Sequence, residues 1–95
     1  MNNKYEDKAK KFKALADVNR LKIFELLAYE EKCGCDILEH FEFTQSTLSH
    51  HMKVLIDSKL VKCRKDGHWS LYSVDNTGTN ELLLSVMNHG AETNI

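Results

Sequence analysis

Proline is absent from this 95-residue chain, and glycine occurs only four times. Helix-breaking residues are therefore scarce, and helices joined by short connections are expected. No apolar run approaches the roughly 20 residues that span a bilayer. The opening MNNKYEDKAKKFK is charged and lacks the apolar stretch of a secretory signal. Both features lead us to expect a cytoplasmic protein without membrane contact. Three cysteines are too few, and odd in number, for a disulfide framework. Neither sign of charge is in excess, since the formal net charge is −1. What remains is an ordinary soluble composition, 42% hydrophobic and 28% charged. A chain this short has a thin core, which a second copy sharing that core would thicken.

The charge is unevenly spread. Between residues 44 and 74, Lys53, Lys59, Lys62, Arg64 and Lys65 face only Asp57 and Asp66. His50, His51 and His68 lie in the same stretch. The flanks are net acidic. A basic island suits phosphate binding through neutralisation and counterion release.

Along the chain, Tyr5, Ala9, Phe12, Leu15 and Ala16 recur at helical spacing and predict a helix over 4–16. Asp17 or Asn19 is positioned to cap a second helix, which carries Leu21, Ile23, Phe24, Leu26 and Leu27 and ends near Tyr29. After Cys33-Gly34-Cys35-Asp36 a short helix turns Ile37, Leu38 and Phe41 inward. Thr44 marks the next helix start, with Phe43 and Leu48 forming a hydrophobic staple. That helix, 45–58, buries Leu48, Met52 and Leu55. Two strands, 60–63 and 70–74, flank Asp66-Gly67, a hairpin signal. Cys63, Trp69 and Tyr72 read as packed hairpin residues. A last helix over 79–90, capped by Thr77 or Thr79, carries Leu82, Leu83, Leu84, Val86 and Met87. It is apolar over more than one face, so a second copy of the chain is its expected partner.

The fold class is therefore mainly α with a β-hairpin wing (α+β), a winged helix-turn-helix with four helices, the hairpin and a fifth helix. One domain over 1–95 is expected, with the helix-turn-helix at 35–58, the wing at 60–74, and dimerisation helices at 4–16 and 79–90. A helix in the major groove, about 12 Å wide, presents its first turns to base edges. Gln45, Ser46, Thr47, Ser49, His50 and Lys53 occupy that position, and glutamine pairs with adenine through two hydrogen bonds. Arg64, Lys65 and His68 flank the wing tip, within reach of backbone phosphate or the minor groove. These nine residues are the candidate DNA contacts. His51 sits between faces and reads equally well as surface or contact.

Three segments, Ala14–Ile23, Gln45–Leu55 and Val61–Tyr72, resemble in order and spacing the ArsR-SmtB family of metal-sensing winged helix-turn-helix repressors. The resemblance covers most of residues 4–74 and is closest to arsenic sensors. It implies a homodimer, held by its first and last helices, that represses a resistance operon and leaves double-stranded operator DNA on binding its inducer.

The run Glu31-Lys32-Cys33-Gly34-Cys35-Asp36 resembles the family's metal-binding box. Thiolates prefer soft ions, and a helix N-terminus should lower the cysteine pKa. Cys33 and Cys35 are thus the candidate metal ligands, with no obligatory cofactor. As(III) or Sb(III) is the favoured inducer, and Cd(II) or Pb(II) an alternative. The third cysteine common in the family's arsenic sensors is replaced by Leu38, and the N-terminal arm has none of the cysteines of its cadmium and lead sensors. Members that sense zinc on the last helix pair Asp-x-His with His-x-x-Glu. Here His89 and Glu92 are present, but Asn76 and Gly78 stand at the earlier positions, so that site is not expected.

Two other functions fit the same scaffold: a thiol redox sensor, in which Cys33 and Cys35 are oxidised, and a winged-helix regulator with no inducer. An enzyme is not expected. The sequence shows no paired catalytic carboxylates in a pocket-forming context, no nucleophile motif and no phosphate loop.

Overall fold

The computed structural model describes residues 4–92, with side chains for residues 4–87. In chain order the elements are α1 (Lys4–Leu15), α2 (Val18–Tyr29), β1 (Lys32–Cys33), α3 (Gly34–Leu38), α4 (Gln45–Asp57), β2 (Val61–Asp66), β3 (Trp69–Val74) and α5 (Asn76–Glu92). This is the expected winged helix-turn-helix with one addition. The short strand β1 pairs antiparallel with β3, so the wing is part of a three-stranded sheet ordered β1-β3-β2. Two residues are too few to show alternation, which is why the sequence did not reveal the strand.

The helix starts follow from their caps. Asp17, not Asn19, caps α2, its carboxylate accepting from the Arg20 amide at 3.0 Å. Thr44 caps α4, its hydroxyl accepting from the Thr47 amide at 3.2 Å. The start of α5 corrects the sequence reading. Asp75 rather than Thr77 or Thr79 is the cap, accepting from the Gly78 amide at 3.2 Å, and the helix begins at Asn76.

The end of α4 carries a signal that only the backbone reveals. Lys59 adopts φ 65°. The Leu60 amide donates to Leu55 carbonyl at 3.1 Å and the Lys59 amide to Ile56 carbonyl at 2.9 Å. This is a Schellman motif with lysine where glycine is usual. It turns Leu60 into the core beside Leu55, both fully buried. Close apposition follows: a Cβ on Gly78 would lie 1.8 Å from the Lys59 carbonyl oxygen, so the start of α5 fits against α4 only with glycine there.

The hairpin is longer than the sequence reading, and its turn is shifted by one residue. Asp66 pairs with Trp69, leaving Gly67 and His68 as the two-residue loop. Gly67 has φ 62°, the positive value that a II′ turn places on its first central residue.

The core joins Ala14, Ile23, Leu27, Ile37, Leu48, Met52, Leu55, Leu60, Val61 and Leu82. Each large side chain buried there stabilises by about 1.5–3 kcal/mol. Every helix contributes, but unequally. Leu21, one of the apolar residues of α2, lies exposed on its outer face. Among the described large apolar side chains of α5, Leu82 is buried, while Leu83, Leu84, Val86 and Met87 are exposed. The expectation for His89 and Glu92 concerns side chains outside the described residues. Among the described residues no helix is long and apolar enough to cross a membrane.

Candidate DNA interface and thiol site

The amphipathic pattern of α4 fixes which side chains can meet a ligand. Leu48, His51, Met52 and Leu55 are buried, so Gln45, Ser46, Ser49, His50 and Lys53 are left exposed. No acid stands in its first turn. Thr47 is half-buried, and its hydroxyl accepts from Thr44 at 3.2 Å. Lys53 pairs with Asp57 at 3.3 Å on the same helix face, a weak exposed pair.

The wing residues are exposed but not idle. Lys65 donates to the Ser70 hydroxyl at 2.6 Å. Arg64 makes a two-bond pair with Glu31, Nε at 2.8 Å and Nη2 at 2.7 Å. That pair holds the Glu31 carboxyl below its ordinary range and ties the wing to the segment leading into β1. His68 sits in the hairpin loop.

His51 is not a surface residue. It is 7% exposed, and its Nδ1 lies 3.1 Å from an Arg20 Nη1. Because guanidinium only donates, Nδ1 must accept, and the ring is neutral with its proton on Nε2. Arg20 in turn donates Nε to Ala14 carbonyl at 2.7 Å. The chain Ala14–Arg20–His51 pins α4 to the α1–α2 corner.

The two candidate thiols stand together. Cys33 Sγ and Cys35 Sγ are 2.8 Å apart, Cys33 buried and Cys35 exposed. Cys33 has two structural duties. It pairs with Leu71 in the sheet, and its sulfur caps α3, accepting from the Asp36 amide at 3.4 Å. The Asp36 carboxylate completes a group whose ligand atoms all lie within 4.8 Å of one another. This donor set fits a soft three-coordinate ion, with two sulfurs and one oxygen. Cys63 is not part of that group. It is exposed on β2, opposite Tyr72, which corrects its reading as a packed residue.

The expected fall in cysteine pKa is also corrected. The adjacent Cys33 thiol pushes Cys35 above its ordinary value. With only five residues, α3 has little dipole to offset a sulfur at hydrogen-bond distance.

A groove of about 280 Å³ joins the thiols to the exposed face of α4. Cys33, Cys35 and Leu38 line one side, Gln45, Leu48, Ser49 and Met52 the second, and His68 to Ser70 with Tyr72 the third. Trp69 is 57% exposed and forms a groove wall, not the hairpin core it was expected to join. Tyr72 does pack against the core. Sequence reading placed Glu31 and Asp36 in the run around the thiols but missed the Glu31–Arg64 pair, the Asp36 carboxylate as a third donor and the Arg20–His51 contact.

The model of the bacterial regulatory protein arsR family matches residues 17–62, from the α2 cap to the first residues of the wing. Similarity extends well beyond that segment. The chain is 43% identical over 86 residues to the arsenical resistance operon repressor of Staphylococcus aureus, covering 88% of this chain and 83% of that one. The chain belongs to the ArsR family. Solved ArsR-like structures share its fold. A transcriptional regulator from Rhodococcus sp. RHA1 superposes with TM-score 0.87 at 22% identity, over 96% of this chain and 86% of that one. The homodimeric winged helix-turn-helix DNA-binding domain of a possible ArsR-family regulator from Mycobacterium bovis does so with TM-score 0.74 at 25% identity, over 96% and 86%. ArsR proteins are DNA-binding transcriptional regulators and not enzymes, and this chain is one of them.

Proposed function

We propose that this ArsR protein is a cytoplasmic homodimeric repressor that holds double-stranded operator DNA and releases it when As(III) or Sb(III) binds Cys33 and Cys35. The observation that carries this reading is the thiol pair, 2.8 Å apart, in a groove that also contains Gln45 and Ser49. Gln45, Ser46, Thr47, Ser49 and His50 read the major groove from the first turns of α4, and Lys53 meets phosphate. Lys65 and His68 reach the flanking backbone from the wing tip. Arg64 does so by leaving Glu31. The relative from Staphylococcus aureus, named for arsenical resistance, supports the choice of ion. The homodimeric neighbour and the exposed apolar residues of α1 and α5 support the dimer.

When bound, a trivalent arsenic or antimony takes short bonds to sulfur in exchange for the thiol protons. Cys33 then has a conflict, because the sulfur that would hold the ion is the sulfur that caps α3. Losing a cap costs about 1 kcal/mol, and Cys33 is anchored to β3, so the disturbance reaches the helix-turn-helix and the wing together. A coupling of about 1–3 kcal/mol between ion and DNA is typical of such linkage. Cd(II) or Pb(II) would find only two sulfurs and one carboxylate, a poorer set for ions that favour more thiolates.

The test is fluorescence anisotropy of an operator duplex at fixed salt, with arsenite, Cd(II), Zn(II) and peroxide added separately to reduced protein. Arsenite should free the DNA from the wild type and leave Cys33→Ser/Cys35→Ser bound. Release by peroxide alone would make the pair a redox sensor. Binding that ignores every addition would leave a regulator without a thiol inducer.

A further inference from the structure

We propose that the groove running from the thiols to Trp69 is the seat for the organic group of a trivalent arsenical held by Cys33 and Cys35. The inference rests on the thiol-site reading and names the ligand class more finely. A trivalent arsenic forms three bonds. Cys33 and Cys35 supply two, and no third sulfur belongs to the cluster among the described residues. With inorganic arsenite the third position goes to oxygen, from water or Asp36. With an aryl arsenical it is already filled by carbon, and two thiols complete the arsenic.

The step balances without any oxidant. In R–As(OH)2 plus two thiols, two As–S bonds form and two As–O bonds break. The thiol protons leave on two waters, and arsenic stays trivalent.

The surroundings suit the organic group. The groove holds about 280 Å³, whereas about 150 Å³ suffices for benzene in an apolar cavity. Its walls beyond the thiols include Leu38, Met52, Tyr72 and Trp69. An exposed tryptophan beside an apolar floor offers a ring face at little ordering cost, and its stacking with the ring area covered is worth about tenfold in affinity. Because Gln45 and Ser49 line the same groove, a ring seated there also stands against the residues proposed to read bases. An aryl arsenical should therefore displace DNA by occupancy as well as by loss of the α3 cap.

Trp69 is the only tryptophan, so its fluorescence reports the groove directly. Reduced protein would be titrated with phenylarsine oxide and, separately, arsenite, following Trp69 emission and then release of operator DNA by anisotropy. Phenylarsine oxide should shift and quench Trp69 strongly, arsenite weakly. It should release DNA at about tenfold lower concentration than arsenite. In Trp69→Ala the ratio between the two compounds should collapse towards one, and Trp69→Phe should restore part of it. Asp36→Asn should weaken the arsenite response more than the phenyl response. An unchanged ratio in Trp69→Ala, with unperturbed Trp69 emission in the wild type, would overturn the groove assignment while arsenite release kept the thiol site. Failure of both compounds to act would overturn the thiol site, and this inference with it.

Discussion

Helices α4 and α5 are built from similar amounts of apolar side chain, yet they end in opposite situations. On α4 the apolar residues form one stripe, and Leu48, Met52 and Leu55 are all buried within the chain. On α5 they surround the helix. Leu82 is buried, while Leu83, Leu84, Val86 and Met87 remain between 52% and 63% exposed. One helix is complete in a single chain and turns outward the polar face that we propose meets DNA. The other is incomplete, and Tyr5 and Phe12 of α1, also exposed, share its apolar surface. The difference separates stability of the protomer, which resides around α4, from assembly, which we assign to α1 and α5.

The comparison breaks most visibly in the core. Leu55→Ala, at a fully buried site, should cost about 2–5 kcal/mol in urea unfolding, at every protein concentration. A smaller but more selective effect is expected on α5. Leu83→Asp/Met87→Asp should leave protomer helicity by circular dichroism intact. It should convert dimer to monomer in sedimentation and weaken operator binding by about a hundredfold, because two linked half-sites become one. A folded variant that remains a dimer would move assembly elsewhere.

His51 sharpens the comparison further, since it holds α4 to the α1–α2 corner. His51→Ala removes the acceptor of Arg20 Nη1 while the Nε bond to the Ala14 carbonyl remains, and should cost about 1–3 kcal/mol. Burial, with Arg20 and His50 assisting and Asp17 opposing, keeps the His51 pKa below its ordinary 6.5. The folded state therefore favours the neutral ring. Its contribution is complete above about pH 6.5 and is lost as pH falls from there towards the lowered folded value. Wild type should lose stability through that window, and His51→Ala should lose less. Smallest of all, Lys53→Ala, which breaks only an exposed pair, should leave the unfolding midpoint unchanged and reduce the salt slope of DNA binding by about one.

The same division explains what could be read in the sequence. Short-range signals were legible: the α4 stripe, the Thr44 cap and the Gly67 hairpin all follow from side-chain chemistry within a few residues. The thiol pair was legible because its members are two residues apart. What escaped depends on contacts distant along the chain. The strand β1 exists because β3 offers it a ladder. Trp69 looked like core, but the sheet places it on the groove shared with Cys35 and Leu38, and Cys63 looked packed, but it is exposed while its register partner Tyr72 packs against the core. Asp75 escaped because Thr77 and Thr79 are equally good caps by type, and the fit of Gly78 against Lys59 settled the start of α5.

The central claim is that the thiol corner and the recognition helix act as one unit. Linkage gives it a direct test, since coupling between two ligands is reciprocal. Arsenite affinity should be measured by competition with a dithiol chelator, on the free dimer and on the dimer saturated with operator DNA. The account predicts weaker arsenite binding on DNA, by the same factor of about 5–150 by which arsenite weakens DNA binding. Equal arsenite affinity in the two states would contradict it.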